Sequence, residues 1–346
     1  MRADFTKQII NIILLLSLSL PLQGAPFERL IYMVDRHDSY ERLSRNIDSF
    51  DVIAPQVFSF NSDGVLYGEV DERIVKLVQK HRKKLMPLVA NEDFDKEKVQ
   101  QFLKDEEAKK HFIDTLAEVG KRYGFAGWQL DFEHLGRESR ALYTDFIKKL
   151  HTRLRKHRMQ LSIAVTPARG EESRSAHDAQ FYADWIASYD FKTLAKHSDF
   201  LSVMAYDQHT GKTPPGAVAS YPWVERIIKE MLKEVSKDKI SLGIPLYSRL
   251  WYAGNRGNSL GSHARSMSYI AAQDWMLRRG ITPIYSESER IWWGFGEHGG
   301  VREYLFLEEV DSFTEKLSLA KHYKLRGVSL WRLGQEDARI YEKLQK

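Results

Sequence analysis

Two carboxylates, Asp131 and Glu133, stand two residues apart in the otherwise apolar stretch "YGFAGWQLDFEHLG" (123–136). In a β-strand, side chains at positions i and i+2 point to the same face and lie about 6.5–7 Å apart. Two acidic groups at that distance resist joint ionisation, so the pKa of one rises and that group can remain protonated. Such an acid suits cleavage of a glycosidic bond, whose leaving oxygen needs a proton. The alternative is a buried structural pair satisfied by Arg, Lys or backbone N–H groups.

The elements that must position this pair alternate along the chain. Short apolar segments, typical of strands, are separated by longer segments with helical periodicity. The eight candidate strands are 30–35, 51–60, 85–91, 126–133, 161–169, 199–207, 239–247 and 327–334. Eight strands alternating with helices over about 300 residues predict an α/β fold of the (β/α)8 TIM-barrel type. A doubly wound open sheet is the alternative.

In a barrel, the apolar alternate positions of the fourth strand would face the surrounding helices. Gln129, Asp131 and Glu133 would then share the inward face, by the two-residue period of a strand. Glu133 would lie at the C-terminal mouth, where barrels of this type keep their chemistry. Ala126 is predicted on the opposite face from Asp131 by the same parity.

Helical periodicity is clear in two segments, 96–124 and 312–327. Within the second segment, Gly327 is predicted to close the helix, because glycine readily adopts the left-handed conformation found there. The apolar residues of this segment suggest one buried face, and they are Phe313, Leu317, Leu319 and Ala320.

The distance along the chain between successive candidate strands is unusually long at one place. Roughly 80 residues separate the seventh candidate strand from the eighth. This gap predicts a small α+β insertion over about 249–308. Within it we expect a helix around 267–279 and short strands near 282–285, 290–294 and 302–307. The insertion is expected to belong to the same domain and to form a wall beside the site.

The N-terminus reads "MRADFTKQIINIILLLSLSLPLQGAPF", with a charged start, an apolar run from Ile9 to Leu20, and small residues at Gly24 and Ala25. This layout predicts a signal peptide over residues 1–25 and a mature domain over 26–346. The apolar run is shorter than the roughly 20 residues that a spanning helix needs. We therefore expect export to the periplasm, the cell envelope or the medium. An uncleaved N-terminal anchor is the alternative.

Composition narrows the possible partners. The formal net charge is +5, and no aromatic-basic motif accompanies it, so nucleic-acid binding is not indicated. The mild basic excess is compatible with an anionic polysaccharide matrix.

The chain has no cysteine, and its twelve histidines form no His-Glu-x-x-His motif, so neither disulfides nor a metal is inferred. The Gly-x-Gly-x-x-Gly in "GFGEHGG" (294–300) lies in the insertion, not between a strand and its crossover helix, so we infer no dinucleotide cofactor.

The fourth candidate strand carries a recognisable motif. It resembles the Asp-Gly-x-Asp-x-Asp-x-Glu sequence of glycoside hydrolase family 18, the chitinase-like barrels. Gly127, Asp131 and Glu133 match that motif. Ala126 and Gln129 replace its first and second aspartates.

Further segments resemble the same family in the same order along nearly the whole mature chain. Met204, Tyr206 and Asp207 match a sixth-strand Met-x-Tyr-Asp motif, and "ISLGIPLYSRLW" (240–251) is similar to a seventh-strand Leu-Gly-x-Pro-x-Tyr-x-Arg segment. Trp331 in the eighth strand is the tryptophan expected to floor the central sugar site. The second and third strands, "VIAPQVFSF" and "LMPLVAN", resemble the branch of spore-cortex and cell-wall hydrolases.

The resemblance implies a retaining mechanism assisted by the substrate, with no enzyme nucleophile. Glu133 would act as acid and then as base. Asp131 would orient the acetamide of the sugar, and Tyr206 would donate a hydrogen bond to its carbonyl. Asp207 would bind the sugar from the adjacent wall, and Trp331 would offer it an apolar ring face.

Other residues are candidates for supporting roles. The amide of Gln129 is expected to hydrogen-bond Asp131 and so to preserve activity with a changed pH profile. Met204 is expected to pack near the sugar. Asn91 and Trp251, each at a predicted strand end, are candidates for contact with substrate, as is His209. Further aromatic residues could line a cleft or belong to the core, and they are Tyr32, Phe58, Trp292 and Trp293.

The sequence thus predicts an exported glycosidase without a cofactor that acts on β-1,4-linked N-acetylhexosamine polymers. Peptidoglycan is favoured over chitin by the branch resemblance. The competing hypothesis is a non-catalytic carbohydrate-binding protein on the same fold, since fold alone does not separate the two.

Overall fold

The computed structural model describes residues 27–34, 36, 38–169, 175–254 and 263–345. The predicted signal peptide lies outside these ranges, as does Asp35 at the end of the first predicted strand. Across the described ranges, no helix combines the length and apolarity needed to cross a membrane.

Fifteen strands occur in the described residues. They are β1 (Glu28–Val34), β2 (Val52–Phe60), β3 (Leu66–Tyr67), β4 (Lys84–Leu85), β5 (Leu88–Asn91), β6 (Gly127–Asp131), β7 (Gln160–Val165), β8 (Phe200–Val203), β9 (Ile240–Pro245), β10 (Ser248–Gly254), β11 (His263–Met267), β12 (Ile284–Ser286), β13 (Ile291–His298), β14 (Val301–Leu307) and β15 (Gly327–Trp331).

Eleven α-helices accompany them in the same part of the chain. They are α1 (Ser39–Asn46), α2 (Glu72–Lys80), α3 (Lys96–Lys104), α4 (Glu106–Tyr123), α5 (Arg140–Arg155), α6 (Ala176–Trp185), α7 (Phe191–Lys196), α8 (Tyr221–Met231), α9 (Tyr269–Arg279), α10 (Val310–His322) and α11 (Ile340–Leu344).

Eight parallel strands close into a barrel. Their order is β1, β2, β5, β6, β7, β8, β9 and β15, and β1 pairs with both β2 and β15. The predicted (β/α)8 barrel is therefore confirmed, and the open sheet is excluded. Outward-facing residues such as Trp128 and Leu130 join the large core beneath the helices. A smaller cluster, which includes Leu30, Tyr32 and Phe200, fills the barrel interior.

Helix boundaries follow local capping. The predicted helix over 96–124 is two helices, because Asp105 accepts hydrogen bonds from the backbone of Glu107 (2.9 Å) and Ala108 (3.0 Å) and so starts α4. The prediction that Gly327 closes the next helical segment is wrong, since α10 ends at His322 and Gly327 begins β15. The four apolar residues predicted to share one face of α10 are all buried.

Several predicted strands extend too far at their C-terminal ends. β6 ends at Asp131 and β8 ends at Val203, so Glu133, Tyr206 and Asp207 lie in the loops that follow the strands. The apolar pattern continues past these ends because the loops also bury side chains. The parity prediction for Ala126 is also wrong. Ala126 precedes β6 and packs against the cluster inside the barrel.

The predicted α+β insertion is confirmed between β9 and β15. Its sheet is antiparallel, in the order β11-β10-β14-β13-β12, and α9 matches the predicted helix closely. Gly299 and Gly300 have positive φ angles (59° and 75°) in the two-residue turn between β13 and β14. The glycines of "GFGEHGG" therefore serve a hairpin.

One face of the insertion sheet packs on α9 through a cluster that includes Leu250, Trp275 and Leu305. Residues opposite each other in antiparallel strands share a face. Arg249 and Trp293 each pair with Phe306, so these three side chains lie on the other face of the sheet. Only two residues separate the end of β9 from the start of β10, which brings this second face to the mouth of the barrel.

Candidate active site

Glu133 stands at the mouth of the barrel on a segment fixed from several sides. Trp128, earlier in β6, donates a hydrogen bond from Nε1 to the Leu116 carbonyl of α4 (3.1 Å), which anchors the strand to the helix behind it. Beyond the end of β6, the Phe132 carbonyl accepts a hydrogen bond from the Tyr189 hydroxyl (2.8 Å). His134 has a positive φ angle and stacks on Trp185, with ring centroids 4.7 Å apart.

Burial sets the ionisation of the two carboxylates. It raises the pKa of Asp131 to about 7, because the charged form loses water inside the barrel. The pKa of Glu133 is raised well above its ordinary value by burial, and then by the negative charges of Asp131 and Asp207. Asp131 is buried, whereas Glu133 is partly exposed. Glu133 is therefore a carboxyl group whose protonated form is favoured and which remains open to the mouth.

Gln129 lies beneath Asp131 and is fully buried. Its Oε1 accepts hydrogen bonds from the hydroxyls of Tyr32 (3.0 Å) and Ser162 (2.9 Å), and Ser202 Oγ lies 2.8 Å from the Tyr32 hydroxyl oxygen. Gln129 Nε2 and Asp131 Oδ1 each have no hydrogen-bond partner in the described residues. The predicted hydrogen bond between them is therefore not made in this structure. The two hydroxyls fix Oε1 and leave the amide nitrogen as the free end of the side chain.

Asp207 bridges the loop after β8 and the first strand of the insertion. Its Oδ1 accepts hydrogen bonds from the Tyr247 hydroxyl and from Arg249 Nη2 (2.7 Å), and the Arg249 side chain is almost completely buried. Arg249 Nη1 also donates to the His209 carbonyl. The Asp207 carboxylate is thereby held in place while nearly half of its surface stays exposed (45%).

Tyr206 depends on a glycine in the neighbouring strand. A Cβ at Gly243 would lie 3.0 Å from Tyr206 Cε1 and 2.4 Å from the Val203 carbonyl oxygen, so a larger residue would displace the ring. Burial raises the pKa of Tyr206 well above its ordinary value, which keeps the hydroxyl protonated. Met204 is anchored beside it through its backbone N–H, which donates to the Val165 carbonyl (3.0 Å).

Trp331, the last residue of β15, is partly exposed at the mouth. Its ring centroid is 5.4 Å from that of Tyr32, which is buried beneath it. Glu133, Tyr206, Asp207 and Trp331 thus all follow or end strands at the same face of the barrel. The structure brings these predicted residues together at one end.

Two predicted substrate contacts occupy other positions. Trp251 lies in the middle of β10, is fully buried, and packs edge-on against Phe306, so it presents no open ring face. It was expected at a strand end, but the chain forms a new strand there. Asn91 is also buried (3% exposed), and both polar atoms of its side chain bond to the backbone of Glu133.

A cavity of about 560 Å³ adjoins the site between the loop after β8 and the open face of the insertion sheet. His209 lines it, with its Nδ1 3.2 Å from the Pro214 carbonyl oxygen. The aromatic side chains that line it are partly exposed, and they are Trp293, Tyr304 and Phe306. Glu289 and Ser286 add polar groups to its edge. This arrangement offers ring faces with a few polar groups, which suits a sugar.

Two further aromatic candidates, Phe58 and Trp292, pack away from the site. Phe58 is buried against Trp128, with ring centroids 5.2 Å apart. Trp292 packs on the α9 side of the insertion sheet and donates from Nε1 to Asp311 Oδ2 (3.1 Å).

Sequence reasoning assigned no individual role to several residues that organise the site. Tyr247 and Arg249 belong to the seventh-strand motif, and in the structure they hold Asp207. Tyr189 and Ser162 have no motif at all, because their contacts to Phe132 and Gln129 join distant parts of the chain. The spacing of Tyr247 and Arg249, on alternate positions after a strand, was the one usable signal.

The sequence model of the glycosyl hydrolases family 18 matches residues 39–336. The chain is 26% identical over 314 residues to the uncharacterized glycosylase YvbX of Bacillus subtilis, covering 89% of this chain and 88% of that protein. It is 24% identical over 283 residues to the cortical fragment-lytic enzyme of Bacillus subtilis, covering 80% of this chain. The chain spans 63% of the length of that second relative.

Solved structures share the fold. The chitinase from Chromobacterium violaceum superposes with a TM-score of 0.82 at 22% identity, covering 93% of this chain and 98% of that one. The spore cortex-lytic enzyme SleL of Bacillus cereus superposes with a TM-score of 0.83 at 20% identity, covering 92% of this chain and 73% of that one.

Proposed function

The chain belongs to family 18 of the glycosyl hydrolases, and on that premise we propose that it is an exported enzyme that hydrolyses the β-1,4-linked N-acetylhexosamine chains of peptidoglycan. The family membership makes it a glycoside hydrolase. The choice of peptidoglycan is supported by relatives named as cortical fragment-lytic and spore cortex-lytic enzymes. Chitin is the alternative polymer.

One observation carries the catalytic assignment. Glu133 is partly exposed at the barrel mouth while burial, Asp131 and Asp207 raise its pKa. A carboxyl group in that state can give a proton to a leaving oxygen near neutral pH. Activity should fall as pH rises through the raised pKa of Glu133, because the acid then loses the proton that it must donate.

In the first step, the acetamide oxygen of the substrate attacks the anomeric carbon of its own sugar. The bond between that carbon and the glycosidic oxygen breaks, and Glu133 gives its proton to the departing oxygen. The products of this step are the shortened glycan with a free hydroxyl and a cyclic oxazolinium on the remaining sugar. Asp131 faces the acetamide N–H and stabilises the positive charge, and the Tyr206 hydroxyl donates to the acetamide oxygen.

In the second step, the Glu133 carboxylate removes a proton from water, and the water oxygen attacks the anomeric carbon. The oxazolinium ring opens and the acetamide is restored. Attack from the side that the leaving group vacated retains the anomeric configuration. No enzyme nucleophile takes part.

Substrate is held by groups around this centre. Trp331 provides a ring face beneath the sugar, and Asp207 accepts hydrogen bonds from sugar hydroxyls while Tyr247 and Arg249 fix its position. Met204 packs beside them. The aromatic cavity next to His209 extends the binding surface toward the insertion. Gln129 is held beneath Asp131 by Tyr32 and Ser162, and its neutral amide cannot store a proton. We therefore expect an active enzyme whose activity depends on pH differently from that of a relative with aspartate at this position.

Export is proposed from the leader alone. Cleavage near Ala25 would produce a mature chain beginning at about residue 26. N-terminal sequencing of the protein recovered from the envelope or medium tests this proposal. A recovered chain that still begins at Met1 would indicate the uncleaved anchor.

The deciding experiment compares wild type with Glu133→Gln on purified peptidoglycan and on chitin oligomers, with new reducing ends read by mass spectrometry. Glutamine keeps the shape of the side chain but has no proton to transfer, so we expect a loss of about 10²- to 10⁴-fold in kcat. Glu138→Gln, which changes an exposed carboxylate of the same loop, is the matched control and should retain activity.

The outcomes separate the hypotheses. Cleavage of peptidoglycan by wild type but not by Glu133→Gln supports the proposal, and cleavage of chitin alone would change the substrate. Binding of either polymer without cleavage by wild type would favour a carbohydrate-binding protein. Equal cleavage by wild type and Glu133→Gln would remove Glu133 as the acid.

A further inference from the structure

Glu133 lies beyond the hydrogen-bonded ladder that orders the rest of its strand. The β5–β6 pairing ends where Ala90 lies opposite Asp131. The β6–β7 pairing ends one residue earlier, at Leu130, so in the part of the chain that the structure describes neither neighbouring strand pairs with the residues after Asp131. Glu133, whose carboxyl group needs a defined position, therefore lies in the first segment after β6 that strand pairing does not fix.

The side chain of Asn91 supplies the hydrogen bonds that a neighbouring strand would otherwise make to Glu133. Asn91 Oδ1 accepts a hydrogen bond from the Glu133 N–H (3.0 Å), and Asn91 Nδ2 donates to the Glu133 carbonyl oxygen (3.2 Å). In an extended chain, the N–H and C=O of one residue point to the same side. The carboxamide therefore pairs with Glu133 as the opposite residue of an antiparallel strand would, exchanging both hydrogen bonds.

Asn91 is itself firmly placed. It is the last residue of β5 and is only 3% exposed, so its side chain has little freedom to choose other partners. Tyr189 fixes the neighbouring carbonyl of Phe132 from the opposite side. The backbone at Glu133 is thus clamped between side chains from two different elements.

We propose that Asn91 is a positioning residue that holds the backbone of Glu133 so that its carboxyl group meets the glycosidic oxygen. This inference rests on the proposed function of Glu133. It replaces the expected contact of Asn91 with substrate, because both polar atoms of the side chain are engaged by Glu133. Only asparagine fits this role at this length, since Asp would set a second oxygen against the Glu133 carbonyl oxygen.

The kinetic test uses Asn91→Leu, which keeps the size of the side chain and removes both hydrogen bonds. We expect kcat to fall on the order of 10²-fold, because a displacement of about 1 Å at a reacting group costs that much. KM should change less than twofold, since no substrate contact is removed. Melting temperatures of all variants identify any that fail to fold.

Gln100→Leu is the matched control. Gln100 Nε2 donates to the Leu135 carbonyl (2.9 Å), two residues beyond Glu133 in the same loop. This control loses that bond to the loop backbone and a second one, from Gln100 Nε2 to the exposed carboxylate of Glu138 (2.6 Å), but it keeps both bonds at Glu133. Its kcat should stay within about twofold of wild type. An equal loss in both variants would mean that general loosening of the loop, and not a clamp on Glu133, is responsible.

A crystal structure of Asn91→Leu tests the proposal without any substrate. We expect the backbone and carboxyl group of Glu133 to shift relative to wild type, with Asp131 unmoved. If Glu133 has the same position in Asn91→Leu as in wild type, the positioning role is wrong, even where wild type cleaves the polymer. If wild type cleaves no polymer yet Glu133 shifts, the proposed function fails while the clamp stands.

Discussion

At the residue scale, the site keeps a buried acid in an unfavourable state. Asp131 is 5% exposed, its Oδ1 has no hydrogen-bond partner among the described residues, and burial raises its pKa to about 7. Such a group lowers stability, since the unfolded chain would hydrate it fully. In the proposed mechanism, the free oxygen accepts a hydrogen bond from the acetamide of a bound sugar.

Asp131→Asn should therefore stabilise the protein in a pH-dependent way. In the unfolded chain the pKa of Asp is about 3.9, and in the folded chain it is about 7. The folded state thus binds more protons between these values, and stability falls as pH rises from about 4 to about 7. Asn removes this dependence. We expect the gain in free energy of unfolding to grow across that range, on the order of 1 kcal/mol per pH unit, and then to level off.

Urea unfolding of both proteins at a series of pH values between 4 and 8.5 measures this gain. Asp63→Asn, on an exposed turn far from the barrel interior, is the control and should show no such trend. A gain that does not vary with pH would contradict the raised pKa of Asp131.

At the element scale, two barrel strands begin with a glycine because the neighbouring strand lies against it. A Cβ at Gly127 would lie 2.2 Å from the Gln160 carbonyl oxygen in β7, and one at Gly327 would lie 1.9 Å from the Glu28 carbonyl oxygen in β1. Both contacts are with backbone atoms, which cannot move away by a change of rotamer as a side chain can. Gly127 thus sets how closely β6, the strand that leads to Asp131 and Glu133, approaches β7.

Gly127→Ala should destabilise the fold by forcing β6 and β7 apart. Inserted atoms in a packed core typically cost about 1–3 kcal/mol, and we expect the upper end of that range because backbone must move. Gly211→Ala is the control, since a Cβ there meets its nearest atom at 3.7 Å. Thermal and urea unfolding measure both. Similar stability of the two variants would show that the strands can separate without penalty.

At the scale of the whole molecule, the insertion is tied to the barrel by a buried ion pair. Lys316 Nζ in α10 lies 2.8 Å from Glu308 Oε2, with both side chains almost completely buried. The backbone N–H of Glu308 donates to the hydroxyl of Ser248, the first residue of β10 (3.0 Å). Both ends of the insertion therefore meet at one point, and α10 fixes that point on the barrel.

Lys316→Met should cost about 3–5 kcal/mol, because it leaves the Glu308 carboxylate buried without a counter-charge. The double variant Lys316→Met with Glu308→Leu should recover most of that loss, since no lone charge remains. Chemical denaturation of wild type, both single variants and the double variant gives the coupling energy. A double variant as unstable as Lys316→Met alone would refute this explanation.

The sequence by itself determined the repeating elements and the main chemical groups. The alternation of apolar strands and helices predicted the barrel, and the long gap before the last strand predicted the insertion. The spacing of Asp131 and Glu133 predicted a shared inward face with Glu133 at the mouth, and the order of motifs indicated the family that the sequence model matches. These features are local, since periodicity along the chain reports which neighbouring residues share a face.

Only the tertiary structure decided which side chains are open and which are engaged. The positions of Trp251 and Asn91 in the sequence predicted contact with substrate. In the structure, Trp251 packs against Phe306, and the side chain of Asn91 is hydrogen-bonded to the backbone of Glu133. Tyr189 could not be recognised at all, because its partner at Phe132 is 57 residues away. Exposure and hydrogen bonding depend on what distant elements bring to a residue, and a local pattern carries no information about that.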